Sequence, residues 1–84
     1  MESEAIAILN ELLNYEERQI EQAKSMLSIL LRDLDSSPYP SMREDICSYQ
    51  GDWVAHLRSL NKIKSLLNRE LAFRAAEKSF TAEN

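Results

Sequence analysis

The only two prolines of the chain stand in one tripeptide, Pro38-Tyr39-Pro40, and the only glycine is Gly51. Each proline lacks an amide proton and pushes the residue before it out of the helical region. The chain therefore has one strong break. Too few turn-formers remain for a sandwich or barrel, so the two long segments on either side of the break are left to be helices. At 84 residues and 9.7 kDa, with 44% apolar and 29% charged residues, the chain has the balance of one small folded domain.

The first segment carries a seven-residue repeat. Ile6, Leu13, Ile20, Leu27 and Leu34 recur without a miss, and Leu9, Ala23 and Leu30 follow Ile6, Ile20 and Leu27 by three residues. This is a helix stripe with coiled-coil spacing, interrupted only by Glu16. It predicts a first helix over about residues 3–34, started by Ser3 as a cap and by Glu4 as a negative charge in the first turn. Residues 35–41 then form the loop.

Ser41 and Glu44 have the spacing of a capping box, which predicts the start of a second helix. That helix shows Met42, Ile46, Tyr49, Trp53, Leu57, Leu60, Ile63, Leu67 and Leu71 at steps of three and four, over about residues 42–73. Gly51 inside it either permits close backbone packing or marks a soft point. Beyond Phe73 the pattern thins, and residues 77–84 read as a frayed tail of which Phe80 could dock.

Two long helices joined by so short a loop must fold back on each other, giving an all-α antiparallel hairpin of coiled-coil character as the single domain, residues 1–84. Pairing about the loop places Leu34 near Met42, Leu27 near Tyr49, Ile20 near His56, Leu13 near Ile63 and Ile6 near Leu71. The expected seam is Ile6, Leu13, Ile20, Leu27 and Leu34 with Tyr49, Trp53, Leu60, Ile63 and Leu67, and only the His56 layer is not apolar. Residues 1–40 hold eight acids and three bases, while Trp53 to Arg69 holds Arg58, Lys62, Lys64 and Arg69 with no acid. The fold should therefore bring Glu11, Glu16 and Glu17 alongside that basic stretch, a modest gain for exposed pairs.

A two-helix hairpin has one interface, and chains this small often lack the core to offset conformational entropy. Ile8, Leu12, Tyr15, Met26 and Ile29 fall on a second face of the first helix, as Val54, Leu66 and Phe73 do on the second. A second apolar face implies a second packing surface, filled by self-association or by a foreign protein. Ile8, Leu12, Tyr15, Met26 and Ile29 are the expected partner-binding positions, with Val54, Leu66 and Phe73 as the alternative.

Other chemistry has little to work with. His56 is the only imidazole and Cys47 the only thiol, with Glu44 and Asp45 beside it, a setting that disfavours the thiolate. No Glu-x-x-His pair accompanies Glu16, Glu17 and Glu21, so neither a catalytic site, a metal site nor a cofactor is expected. The net charge of −4 argues against nucleic acid as a partner. An acidic start, Met1-Glu2-Ser3-Glu4, and the lack of a run of ~20 apolar residues predict a cytoplasmic protein with no membrane insertion.

Helix 2 reads Ser48-Tyr49-Gln50 and then Leu60, Ile63, Leu66 and Leu67, after a Pro-containing loop and a long amphipathic first helix. Over roughly residues 4–70 this resembles the small helical-hairpin co-chaperones of bacterial type III secretion needle subunits, the YscE-like family, whose members often carry a Tyr-Gln pair at this point. The resemblance implies a chaperone function. With a larger tetratricopeptide-like chaperone, the chain would hold the needle subunit monomeric in the cytoplasm before export. The alternative from a different class is a self-associating structural or adaptor protein, in which two hairpins form a homodimeric four-helix bundle.

Overall fold

The computed structural model describes residues 3–83, with side chains described through residue 77. It contains two α-helices, α1 from Glu4–Ser36 and α2 from Met42–Glu83, and no strand among the described residues. At 1.5 Å per residue the helices are about 50 and 63 Å long, yet the longest dimension of the molecule is 69 Å. The helices therefore lie side by side. His56 meets Glu16 and Trp53 meets Lys24, so rising position in α1 matches falling position in α2, and the hairpin is antiparallel. With cross-dimensions of 18 and 15 Å it is a rod, whose radius of gyration is 19.5 Å against ~12 Å for a compact chain of this length.

Both ends of α1 are closed as elementary capping requires. The Ser3 hydroxyl accepts from the Ile6 amide at 3.2 Å, and Glu4 supplies an acid in the first turn. At the other end the Ser37 amide donates to the Asp33 carbonyl at 2.7 Å before Pro38 ends the helix.

The start of α2 is closed differently from the expected Ser41–Glu44 box. The Met42 amide donates to the Tyr39 carbonyl, the Asp45 amide to the Ser41 carbonyl, and the Tyr39 hydroxyl to the Asp45 carboxylate at 2.7 Å. Tyr39, between its two flanking prolines, gives its carbonyl to the Met42 amide and ties its hydroxyl to the Asp45 side chain, in place of the expected side-chain bonds of Ser41 and Glu44. The hydrogen bond to Asp45, reinforced by the negative charge there, raises the Tyr39 phenol above its ordinary value. Because the folded-state value is raised, this bond contributes below about pH 10 and is lost as the pH rises through the raised value. In an ultraviolet titration of phenolate absorbance, Asp45→Ala should lower the midpoint at which Tyr39 ionises, and a titration curve unchanged by Asp45→Ala would exclude the bond.

α2 runs ten residues past the expected end at Phe73. The expected tail is helical through Glu83, held on its exposed side by Arg74, which pairs with Glu70 at 3.2 Å and with Glu77 at 4.0 Å. Ala72, Ala75 and Ala76 sustain a helix without any stripe. The expected docking of Phe80 falls outside the residues whose side chains are described. In the antiparallel register α1 begins near the level of Phe73, so the last stretch of α2 extends beyond its neighbour.

The core is thin. Ile6, Ile20, Ala23, Leu27, Leu30, Met42 and Leu60 are the buried apolar residues. Leu13, Tyr49, Trp53, Ile63 and Leu67 are half-buried along the same seam. Leu34 is the exception among the expected seam residues, at 38% exposed. It lies in the last turns of α1, where the chain leaves for the loop and α2 starts at the fully buried Met42, so nothing of α2 remains to cover it. Leu57 and Leu71 of the second stripe are likewise exposed. They lie one position past Tyr49, His56 and Ile63 in the seven-residue period, at the edge of the seam.

Gly51 stands on the outer side of α2. A methyl group placed on it would meet nothing within 4 Å, and its φ is not positive, so close backbone packing is excluded as its reason. Gly51→Ala should stabilise the hairpin by up to ~1 kcal/mol, since it removes only unfolded-state freedom and restores helix propensity. Thermal melting checks this, and a lowered midpoint would refute it.

Candidate functional site

The surface outside the seam has two flanks, separable by which residues of the two helices line them. One groove is lined by Gln19, Gln22 and Met26 of α1 with Tyr49, Asp52 and His56 of α2. The other is lined by Glu17 and Lys24 with Trp53, Leu57 and Leu60. On this second side the Lys24 ammonium sits 5.6 Å from the centre of the Trp53 ring, a cation–π contact worth ~0.5 to 1 kcal/mol at an exposed site.

Steps of seven along a coiled-coil helix stay on one side. From Gln19 and Met26 they lead back to Leu12, and from Asp52 they lead on through Ser59 to Leu66 and Phe73. Ile8 and Tyr15 adjoin Leu12 at steps of four and three. Exposure agrees: Ile8 is 54% exposed, Leu12 46%, Tyr15 47% and Phe73 62%. The two sets of positions that the sequence offered as alternatives, Leu12 with its neighbours and Leu66 with Phe73, thus share the first flank at the end away from the loop. Ile8, Leu12 and Tyr15 also line a shallow groove with Glu11, Asn14 and Arg18. Ile29 is exposed further along. Met26 departs from the expectation, since it is half-buried and packs into the groove beside Tyr49 and His56. Val54 is exposed but lies on the outer side of α2, one position before Ala55 and away from this flank.

Within the seam, one polar pair replaces an apolar layer. His56 Nδ1 lies 2.5 Å from Glu16 Oε2, with the imidazole N–H donating to the carboxylate. Their side chains are 28% and 14% exposed. Glu16 is the residue that interrupts the α1 repeat, and His56 is the one non-apolar layer of α2, so the two irregularities of the pattern satisfy each other. His56 meets Glu16 instead of Ile20, one helical turn from the expected register. The interruption at Glu16 was the available signal, and a partner forty residues away could not be named from it.

A carboxylate orienting an imidazole is two parts of a nucleophilic triad. No Ser, Thr or Cys is hydrogen-bonded to His56 among the described residues, and the pair serves the seam. Cys47 is exposed. Among the described residues no group of three or more His, Cys, Asp or Glu is placed to hold a metal ion, and no helix is long and apolar enough to cross a membrane.

The expected ion pairs between α1 acids and the basic stretch of α2 are not formed. Among the described residues the only interhelical ion pair is Glu16 with His56, and Arg58, Lys62, Lys64 and Arg69 pair with no described acid. Glu11 and Glu17 are exposed and equally unpaired. Glu11 sits on the outer side of α1, and Glu17 lines the groove beside Trp53, Leu57 and Leu60 without meeting a base there, so two opposite charge populations face solvent on one rod. No family model matches the chain, and no curated protein or solved structure is significantly similar to it.

Proposed function

We propose that this chain is a non-catalytic protein-binding module that covers an apolar helical stripe on its partners. The partners are those implied by the resemblance to YscE-like co-chaperones: a tetratricopeptide-like chaperone and a secretion needle subunit, held monomeric in the cytoplasm before export. One observation carries the reading. Ile8, Leu12 and Tyr15 run in a line on α1, each about half exposed, outside a seam that buries few side chains. Covering one such side chain is worth ~1.5 to 3 kcal/mol, so three or four anchor a complex even after association costs. Tyr15 brings an aromatic body with a polar tip, which interfaces favour.

The physical logic of such a chaperone needs no chemistry. A self-polymerising subunit exposes an apolar stripe, and a protein that binds the stripe withdraws it from filament growth by mass action.

The test is co-expression with a tetratricopeptide-like chaperone and a needle-type helical subunit of the same secretion system. A complex containing one needle subunit is expected by light scattering. Leu12→Asp should weaken it at least tenfold, ~1.4 kcal/mol or more, while circular dichroism shows the helices intact. Failure to form any complex, or a complex indifferent to Leu12→Asp, would count against this function and this surface respectively.

A further inference from the structure

The exposed flank carries a charge pattern that fits one occupant in particular. Along it, Lys62 and Arg69 stand one turn before Leu66 and Phe73 on α2, with no acid near them in sequence between Trp53 and Arg69. On the outer edge of α1, Glu11 lies between Ile8 and Tyr15, three residues after the one and four before the other. At the loop end the signs reverse, with Arg32 on α1 and Asp45 and Asp52 on α2. Among the described residues none of Glu11, Lys62, Arg69 and Asp52 has an ion-pair partner.

We propose that a second copy of this chain covers the flank, the two rods lying parallel about a two-fold axis along their length. Such an axis keeps every residue at its own height and sets α1 of one copy against α2 of the other. The contacts Glu16–His56 and Lys24–Trp53 fix those heights. Glu11 is then level with the stretch from Lys62 to Arg69 of the second copy, and Arg32 is level with Asp45. The apolar end, Ile8, Leu12, Tyr15, Leu66 and Phe73, meets itself. In the opposite orientation the signs still pair, Glu11 near Arg32 and Lys62 near Asp45, but that apolar end would lie on the charged loop end around Arg32 and Asp45 and not on itself, so apolarity selects the parallel arrangement.

The available surface is sufficient. The accessible area is 6611 Å², against ~5,100 Å² for a compact monomer of this mass. One broad face of a rod 69 Å by 18 Å exceeds the ~800 Å² per partner of a standard interface. The dimer is the state of the chain without a foreign partner, and it depends on the flank and its charges rather than on the secretion reading.

Sedimentation equilibrium of the full chain up to ~100 µM tests it. The expected mass is twice 9.7 kDa, and a mass that stays at one chain, or climbs past two, overturns the proposal. Lys62→Glu with Arg69→Glu should raise the dissociation constant at least tenfold with unchanged helix content. Adding Glu11→Lys to that double variant should restore dimerisation in the same chain. An unchanged constant in the double variant, or no recovery in the triple, overturns the parallel pairing. Because both variants alter exposed side chains, loss of folding does not intervene, and a monomeric chain that still binds the needle chaperone would leave the proposed function standing.

Discussion

Leu60→Ala is expected to remove ~2 to 5 kcal/mol of stability, enough to unfold most of the population of a hairpin this small. Leu60 is 7% exposed at the middle of α2, and Ile20, Trp53 and Leu57 line the same groove. Its neighbours are held by long helices that cannot collapse into the space left behind, so the cavity term adds to the transfer term. Leu57→Ala is the matched control. It deletes the same atoms one turn earlier on the same helix, but Leu57 is 42% exposed, and its loss should fall below ~1 kcal/mol. Urea unfolding followed by circular dichroism at one fixed protein concentration compares the two. Equal losses would mean that the seam does not run through Leu60.

The second large effect is expected at the polar layer, where the sign depends on how many residues are changed. His56→Leu leaves the Glu16 carboxyl, 14% exposed, without its donor beside an apolar seam, and should cost ~1 to 3 kcal/mol. Glu16→Leu strands the imidazole and should cost a similar or smaller amount, because His56 is the more exposed of the two. The double change to leucine should recover most of the loss or exceed the parent stability, as replacement of partly buried polar pairs by packed apolar ones commonly does. A coupling energy near zero in this double-mutant cycle would show that the pair is formed without consequence. The parent pair then has its value in register: an all-leucine layer tolerates sliding by a turn, whereas one acid and one imidazole meet at one alignment only.

Much of this fold was legible before any coordinates. Ser3, the two prolines and the seven-residue repeat set the bounds of α1, because capping, proline geometry and periodicity act locally. The start of α2 was found for a different reason from the one that operates there. The Ser41–Glu44 spacing pointed to a helix start, but Tyr39 lies close enough in space to bond Asp45 itself, and such proximity is a property of the folded loop. The end of α2 was placed too early, since apolar periodicity reports burial and the segment after Phe73 is helical by alanine content and by the Glu70–Arg74–Glu77 ladder instead. Periodicity also names a side of a helix without naming depth, which is why Leu34, Leu57 and Leu71 satisfy the pattern and remain exposed. On the exposed flank, sequence gave two candidate faces. Only the register of the hairpin unites Leu12 with Leu66 and Phe73.

The slenderness of the rod governs how the chain moves through solution. Its radius of gyration of 19.5 Å belongs to a compact protein of about 300 residues. A single copy will therefore leave a gel-filtration column ahead of a globular protein of its mass, and a paired copy lying alongside it adds girth but hardly any length. Elution volume responds only weakly to the difference between them, whereas tumbling about the long axis, read from the fluorescence anisotropy decay of the only tryptophan, Trp53, slows roughly with the square of the girth.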